Sequence, residues 1–151
     1  MLEKNPKQVK LVMKHFPLPN HSFARKAAIA AAAAEKQGKF WEIHEKLFAN
    51  QRQLGDAKVE EIARELGLNM ERFDRDLKDP EVQGRIDRDL KNGQQANVRG
   101  TPTIFLNGKV FQQRSLPGFQ QAIDAEMKIV SSNLCEIFEV GKIGANLPNW
   151  I

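Results

Sequence analysis

Two strand-forming stretches of this chain are held apart by a long helical block, and that order restricts the fold more than any other feature. Residues 9–18, VKLVMKHFPL, are rich in Val, Leu and Phe. Val9, Leu11 and Met13 alternate with Lys10, Val12 and Lys14, which gives one apolar face and one mixed face. Pro17 and Pro19 close the stretch, because proline cannot donate to a ladder. The second strand-forming stretch is Thr103 to Leu106, TIFL, followed by Asn107-Gly108, a strong hairpin signal, with Lys109 to Gln112 predicted to return.

Between them, from about Ser22 to Asn92, the periodicity is helical. Phe23, Ala27, Ala30, Ala31 and Ala34 form a stripe of mostly small residues, and Gly38 ends that helix. A second helix carries Phe40, Ile43 and Leu47 in one row with Trp41, His44 and Phe48 beside it. Asp56 is the expected N-cap of a third, striped by Val59, Ile62, Ala63 and Leu66 and stopped at Gly67. Asn69 caps a short fourth with Met70, Phe73 and Leu77. Asp79-Pro80 supplies an N-cap and first-turn proline for a fifth, carrying Val82, Ile86 and Leu90. Ser115-Leu116-Pro117 starts a last helix with a buried row of Phe119, Ala122, Ile123, Met127 and Val130. Strand, helices, hairpin and helix make an α/β chain with helices inserted between two sheet-forming halves.

Composition removes several functions. Of 151 residues, 41% are hydrophobic and 28% charged, the profile of a globular domain rather than a disordered chain. The run Ala27 to Ala34 is far shorter than the ~20 residues a membrane span needs. The net charge of +4 is spread along helices among acidic residues, with no arginine-rich tract for nucleic acid. Cys135 is the one cysteine, which excludes an intrachain disulfide, a Cys-x-x-Cys centre and a multi-Cys zinc site. His15, His21 and His44 lack zincin spacing. Neither a metal nor a cofactor is expected.

The blocks FARKAA…GKFWEIHEKLF and RGTPTIFLNG closely resemble the DsbA-like thioredoxin-fold proteins, bacterial thiol–disulfide oxidoreductases, over about residues 2 to 129. The resemblance implies a thioredoxin sheet with a helical insertion at about 21–96. It also implies that Pro102 is a cis-proline and that the backbone of Thr101 pairs with a substrate peptide. Gly100, Thr101, Pro102 and Thr103 are thus the expected substrate-binding loop. Polypeptides or thiol proteins are the implied partners.

This chain departs from that family at its start. The family carries a first strand and a Cys-x-x-Cys ahead of the strand matched by VKLVM, whereas MLEKNP resembles the last turn of the first helix. The expectation is an incomplete thioredoxin-like fold without its dithiol: a truncated domain over 1–130 and a divergent tail over 131–151. No catalytic residue is then assigned. A DsbA-like domain inactive in dithiol exchange is the leading reading, and a non-catalytic peptide-binding or oligomeric module the alternative. The sequence as written is expected in the cytoplasm, and a family parent in the periplasm or exported.

Removing the family's first strand leaves a slot of ~10 Å between VKLVM and TIFL. Three closures are open: the tail, with Leu134 to Val140 as its strand-like segment; a strand from a second copy in a homodimer; or direct pairing of VKLVM with TIFL. Among the remaining candidates, Cys135 reads as a small hydrophobe, since Glu136 and Glu139 disfavour a thiolate. His15 and His44 read as packed or hydrogen-bonded histidines. Phe23, Phe40, Trp41 and Phe48 read as core, and Lys10 and Lys14 as a solvated strand face.

Overall fold

The computed structural model describes residues 9–113, 115–129 and 135–141, with side chains up to Lys128. Along the chain come β1 (Val9–His15), α1 (Ala24–Glu35), α2 (Phe40–Ala49), a 3-10 turn (Gln51–Gln53), α3 (Asp56–Glu65), α4 (Met70–Leu77) and α5 (Pro80–Gln95). Then follow β2 (Thr103–Leu106), β3 (Lys109–Phe111), α6 (Leu116–Ile129) and β4 (Cys135–Gly141). The helices α1 to α5 form the expected insertion between the two halves of one sheet.

That sheet has four strands in the order β1-β4-β2-β3. The slot between β1 and β2 is therefore filled, and the tail fills it. β4 runs parallel to β1, with Val9 beside Cys135 and His15 beside Gly141. It runs antiparallel to β2, with Thr103 beside Val140 and Leu106 beside Ile137. Both inward edges thereby gain a ladder, as buried N–H and C=O groups require. Direct pairing of β1 with β2 does not occur.

On one sheet face Val9, Leu106 and Ile123 make a core with Leu11, Ile104, Phe111 and Ala122, which seats α6 against the sheet. On the other, Phe16 and Val98 pack with Leu18, Leu90 and Phe105. β1 ends at His15 rather than reaching Leu18, because Phe16 turns into this second core and Pro17 follows. The hairpin between β2 and β3 is as its sequence dictates. Asn107 and Gly108 have φ of 47° and 79°, the paired positive values of a type I′ turn.

The insertion is organised around α1. Eight alanines of this helix are buried, and seven of them serve two fronts. Ala27, Ala30, Ala31, Ala33 and Ala34 pack with Ile43, Leu47, Ile62 and Phe73 of α2, α3 and α4, while Ala28 and Ala32 meet Val82 and Ile86 of α5. A helix apolar on nearly all sides must be enclosed, and short side chains let its neighbours come close. Two caps form as expected: the Asn69 side chain accepts from the Arg72 amide at 2.9 Å, and Asp79 from the Glu81 amide at 2.8 Å. Asp56 does not cap. Gly55 holds that position, and Asp56 in the first turn accepts from the Lys26 ammonium at 2.8 Å. Met127 lies outside the buried row of α6 at 36% exposure, and Val130 lies outside the described residues.

The buried stripe of α5 is Val82, Ile86, Asp89 and Gly93. Gly93 is needed for close approach, since a Cβ there would stand 2.6 Å from two ring carbons of Phe16. Both faces of that contact are buried, so the overlap cannot relax into solvent. Gly93→Ala is expected to destabilise the fold by ~1–3 kcal/mol, as overpacking does, and Gly93→Ala with Phe16→Leu to recover much of the loss. Urea unfolding measures both. A single variant as stable as the parent would contradict the packing described.

Candidate functional site

One edge of the sheet gathers most of the residues singled out from sequence. β1 ends there at His15, β4 at Gly141, and β2 begins there at Thr103, directly after the loop Gly100–Pro102. The Thr101–Pro102 bond is cis. The Thr103 hydroxyl donates to the Gly100 carbonyl at 2.7 Å, which folds the loop back on the start of β2. Gly100 itself has open space where a Cβ would stand.

Cys135 belongs to the opposite end of the strands. It lies beside Val9 at the far end of β4, six residues from Gly141, which at strand rise is about 20 Å. The sheet thus keeps the lone thiol away from the Gly100–Thr103 loop.

Below the loop edge, His15 and His44 are buried in an aromatic cluster. Phe40 is central: its ring meets His15 edge-on at 5.9 Å between centroids and stacks on His44 at 5.5 Å. Phe48 lies 4.6 Å from His44, and Trp41 lies 5.8 Å away on its other side. The i, i+4 spacing of Phe40, His44 and Phe48 on α2 produces this stack. Trp41 differs from the expected core role, being 40% exposed at the rim of the cluster. Phe23 packs against the helical core beside α1.

Burial pushes the His15 imidazole from its ordinary 6.5 down to about 4, against a partly restoring attraction from Asp89. Burial alone does the same to His44, also to about 4. The Nε2 atoms of both rings are buried without a hydrogen-bond partner among the described residues. Both histidines are therefore packed, neutral side chains at pH 7, as the sequence suggested.

Asp89 was not singled out from sequence, yet it ties the edge together. Its carboxylate is buried on α5 and accepts from the His15 amide at 3.1 Å and from the Lys14 ammonium at 3.0 Å. Lys14 is thereby engaged at the sheet end rather than simply solvated. A charge this buried is tolerated when it is paired and hydrogen-bonded. The readable signal was its place in the α5 stripe, three residues after Ile86 and seven after Val82.

Two concavities lie away from the loop. One of about 210 Å³ lies between α1 and α5, beside Ala32, Glu35, Val82 and Arg85. Another, of about 640 Å³, lies between β3 and α6, beside Val110, Phe111, Gln121 and Ala122. Among the described residues no group of three or more His, Cys, Asp or Glu could hold a metal ion.

The model of the DSBA-like thioredoxin domain matches residues 1–124. The chain belongs to that family. A crystal structure of a thioredoxin-like oxidoreductase from Silicibacter pomeroyi superposes with a TM-score of 0.58 at 25% identity, over 77% of this chain and 66% of that one. In sequence the domain is 42% identical over 102 residues to a Na(+)/H(+) antiporter NhaA 3 of Salinispora tropica, and 38% over 101 residues to an antiporter NhaA of Herminiimonas arsenicoxydans. Each match spans about two thirds of this chain but only 16% of the antiporter protein. Among the described residues no helix is long and apolar enough to cross a membrane.

The histidine cluster makes the fold acid-sensitive in a defined window. The unfolded chain takes up protons near pH 6.5, whereas the folded chain resists until about pH 4. Stability is full above pH 6.5 and falls as pH drops towards 4, by at most about 1.4 kcal/mol per pH unit for each histidine. Urea unfolding at pH 7 and at pH 5 should show the loss, and His44→Phe should make it shallower. An unchanged slope in that variant would contradict the buried, neutral assignment.

Proposed function

We propose that this chain is a DsbA-like domain that holds extended polypeptide at the Gly100–Thr103 loop and does not itself carry out dithiol exchange. The observation that carries this reading is the separation of Cys135 from the loop by the length of β4. Intrachain resolution of a mixed disulfide needs a second thiol within reach of the first. This sequence supplies one thiol, and supplies it at the other end of the sheet.

The family resemblance supports the polypeptide as ligand, with thiol proteins as the natural partners. Local geometry supports the mode of contact. Thr103 anchors the loop through its hydroxyl, and Gly100 leaves the loop's flank open. A peptide pairing with the Thr101 backbone is recognised through main-chain hydrogen bonds, as in strand addition.

Two measurements test the reading. In an insulin-reduction assay with dithiothreitol, the chain is expected to give the same turnover as its Cys135→Ser variant. Turnover clearly above that control would contradict the absence of dithiol exchange. Gly100→Val is the binding test, because the added side chain meets nothing within the fold. It should leave the urea midpoint within the range of neutral surface substitutions, about 0.5 kcal/mol, and weaken binding of an unfolded, reduced and alkylated polypeptide at least fivefold. Equal binding by parent and variant would remove the loop from the interface.

A further inference from the structure

Helix α2 is held by two different parts of the molecule. Ile43 and Leu47, both fully buried, belong to the helical core with Ala31, Ile62 and Phe73. The neighbouring row of Phe40, His44 and Phe48, flanked by Trp41, carries the ring contacts. One of these reaches the sheet: Phe40 meets His15 of β1 edge-on at 5.9 Å. Helical block and sheet thus meet here through aromatic rings and two imidazoles.

This seam offers no acceptor for a second ring proton. Nε2 of His15 and Nε2 of His44 are both buried without a hydrogen-bond partner among the described residues. A protonated imidazole donates from both nitrogens, and a buried donor left without an acceptor is costly. The charges around His15 do not remove that cost. Asp89 of α5 attracts its ring, whereas Arg85 of α5, Lys14 of β1 and His44 of α2 all oppose a positive charge there. On the β4 side its neighbour in register is Gly141, which carries no charge. For His44 burial alone acts, and His15 is the titratable ring that faces it. Charging both rings together adds their mutual repulsion.

We propose that this seam is an acid-operated gate: protonation of His44 and His15 parts the aromatic row of α2 from β1 and exposes Phe40, Trp41 and Phe48, while sheet and helical block each stay folded. Both sides are secured by other contacts. Ile43 and Leu47 keep α2 in the helical core, and the Asp89 carboxylate keeps the end of β1 on α5 through the His15 amide and the Lys14 ammonium. Local opening costs less free energy than global unfolding, so it comes first as the pH falls. A ring that titrates at 6.5 when released and at about 4 when packed raises the opening constant about 20-fold between pH 7 and pH 5. Two such rings multiply their factors, which makes the response steeper than a single titration. The gate works whether or not the Gly100–Thr103 loop binds polypeptide.

The test uses the full chain carrying Trp150→Phe, which leaves Trp41 as its one tryptophan. Between pH 7 and pH 4.5, quenching of Trp41 by acrylamide is expected to rise at least twofold, and Nile red emission with it. The far-UV circular dichroism should keep its pH 7 value across that range. His44→Phe retains the ring stack without a titratable group and should at least halve both rises. His15→Gln, which keeps the backbone amide bonded to Asp89, should do the same by a second route. The gate is overturned if quenching stays flat to pH 4.5, or if both variants respond as the parent does. It is also overturned if the rise coincides with loss of the far-UV signal, because the chain is then unfolding as a whole.

Discussion

Everything in the sheet depends on the ladders that β4 makes with β1 and β2. Without it, β1 and β2 would face each other across a gap with their backbone donors and acceptors unmet, a costly arrangement inside a fold. With it, four strands form one surface on which α6 packs from one side and the Phe16–Val98 core from the other. The direction of β4 is what makes this possible. Running parallel to β1 and antiparallel to β2, it can satisfy both edges at once.

The same ladder fixes the chemistry. Register places Gly141 and His15 level with the start of β2, so the loop Gly100–Pro102 and the aromatic–histidine cluster share an edge. It places Cys135 at the other end of the strands, beside Val9. The polar tie of Asp89 to the His15 amide and the Lys14 ammonium then fastens that loop edge to α5. The helical block, centred on the enclosed α1, backs this edge and buries both imidazoles.

Much of this was legible in the residues. The alternation in VKLVM, the Asn107-Gly108 turn, the Asn69 and Asp79 caps and the alanine stripe each have a local cause, and each appears in the structure. The burial of His15 and His44 also followed from their segments. What escaped was set by tertiary contacts. Asp56 gave up the cap to Gly55 while pairing with Lys26, and Met127 lies on the outer side of α6. Asp89 looked like one more charge on a charged helix, and only the neighbourhood of His15 gives it a role. The choice among tail, second copy and direct pairing for the central slot was open too, because strand propensity in LCEIFEV names a candidate but not its neighbours.

The position of β4 is the central claim, and nuclear Overhauser contacts across the sheet test it most directly. In a uniformly labelled monomeric sample, backbone contacts are expected from Leu11 to the Ile137 region on one side of β4. On the other side, contacts are expected between Phe105 and Phe138 in the antiparallel pattern. Direct backbone contacts between β1 and β2, or residues 135–141 without cross-strand contacts to either, would contradict the account.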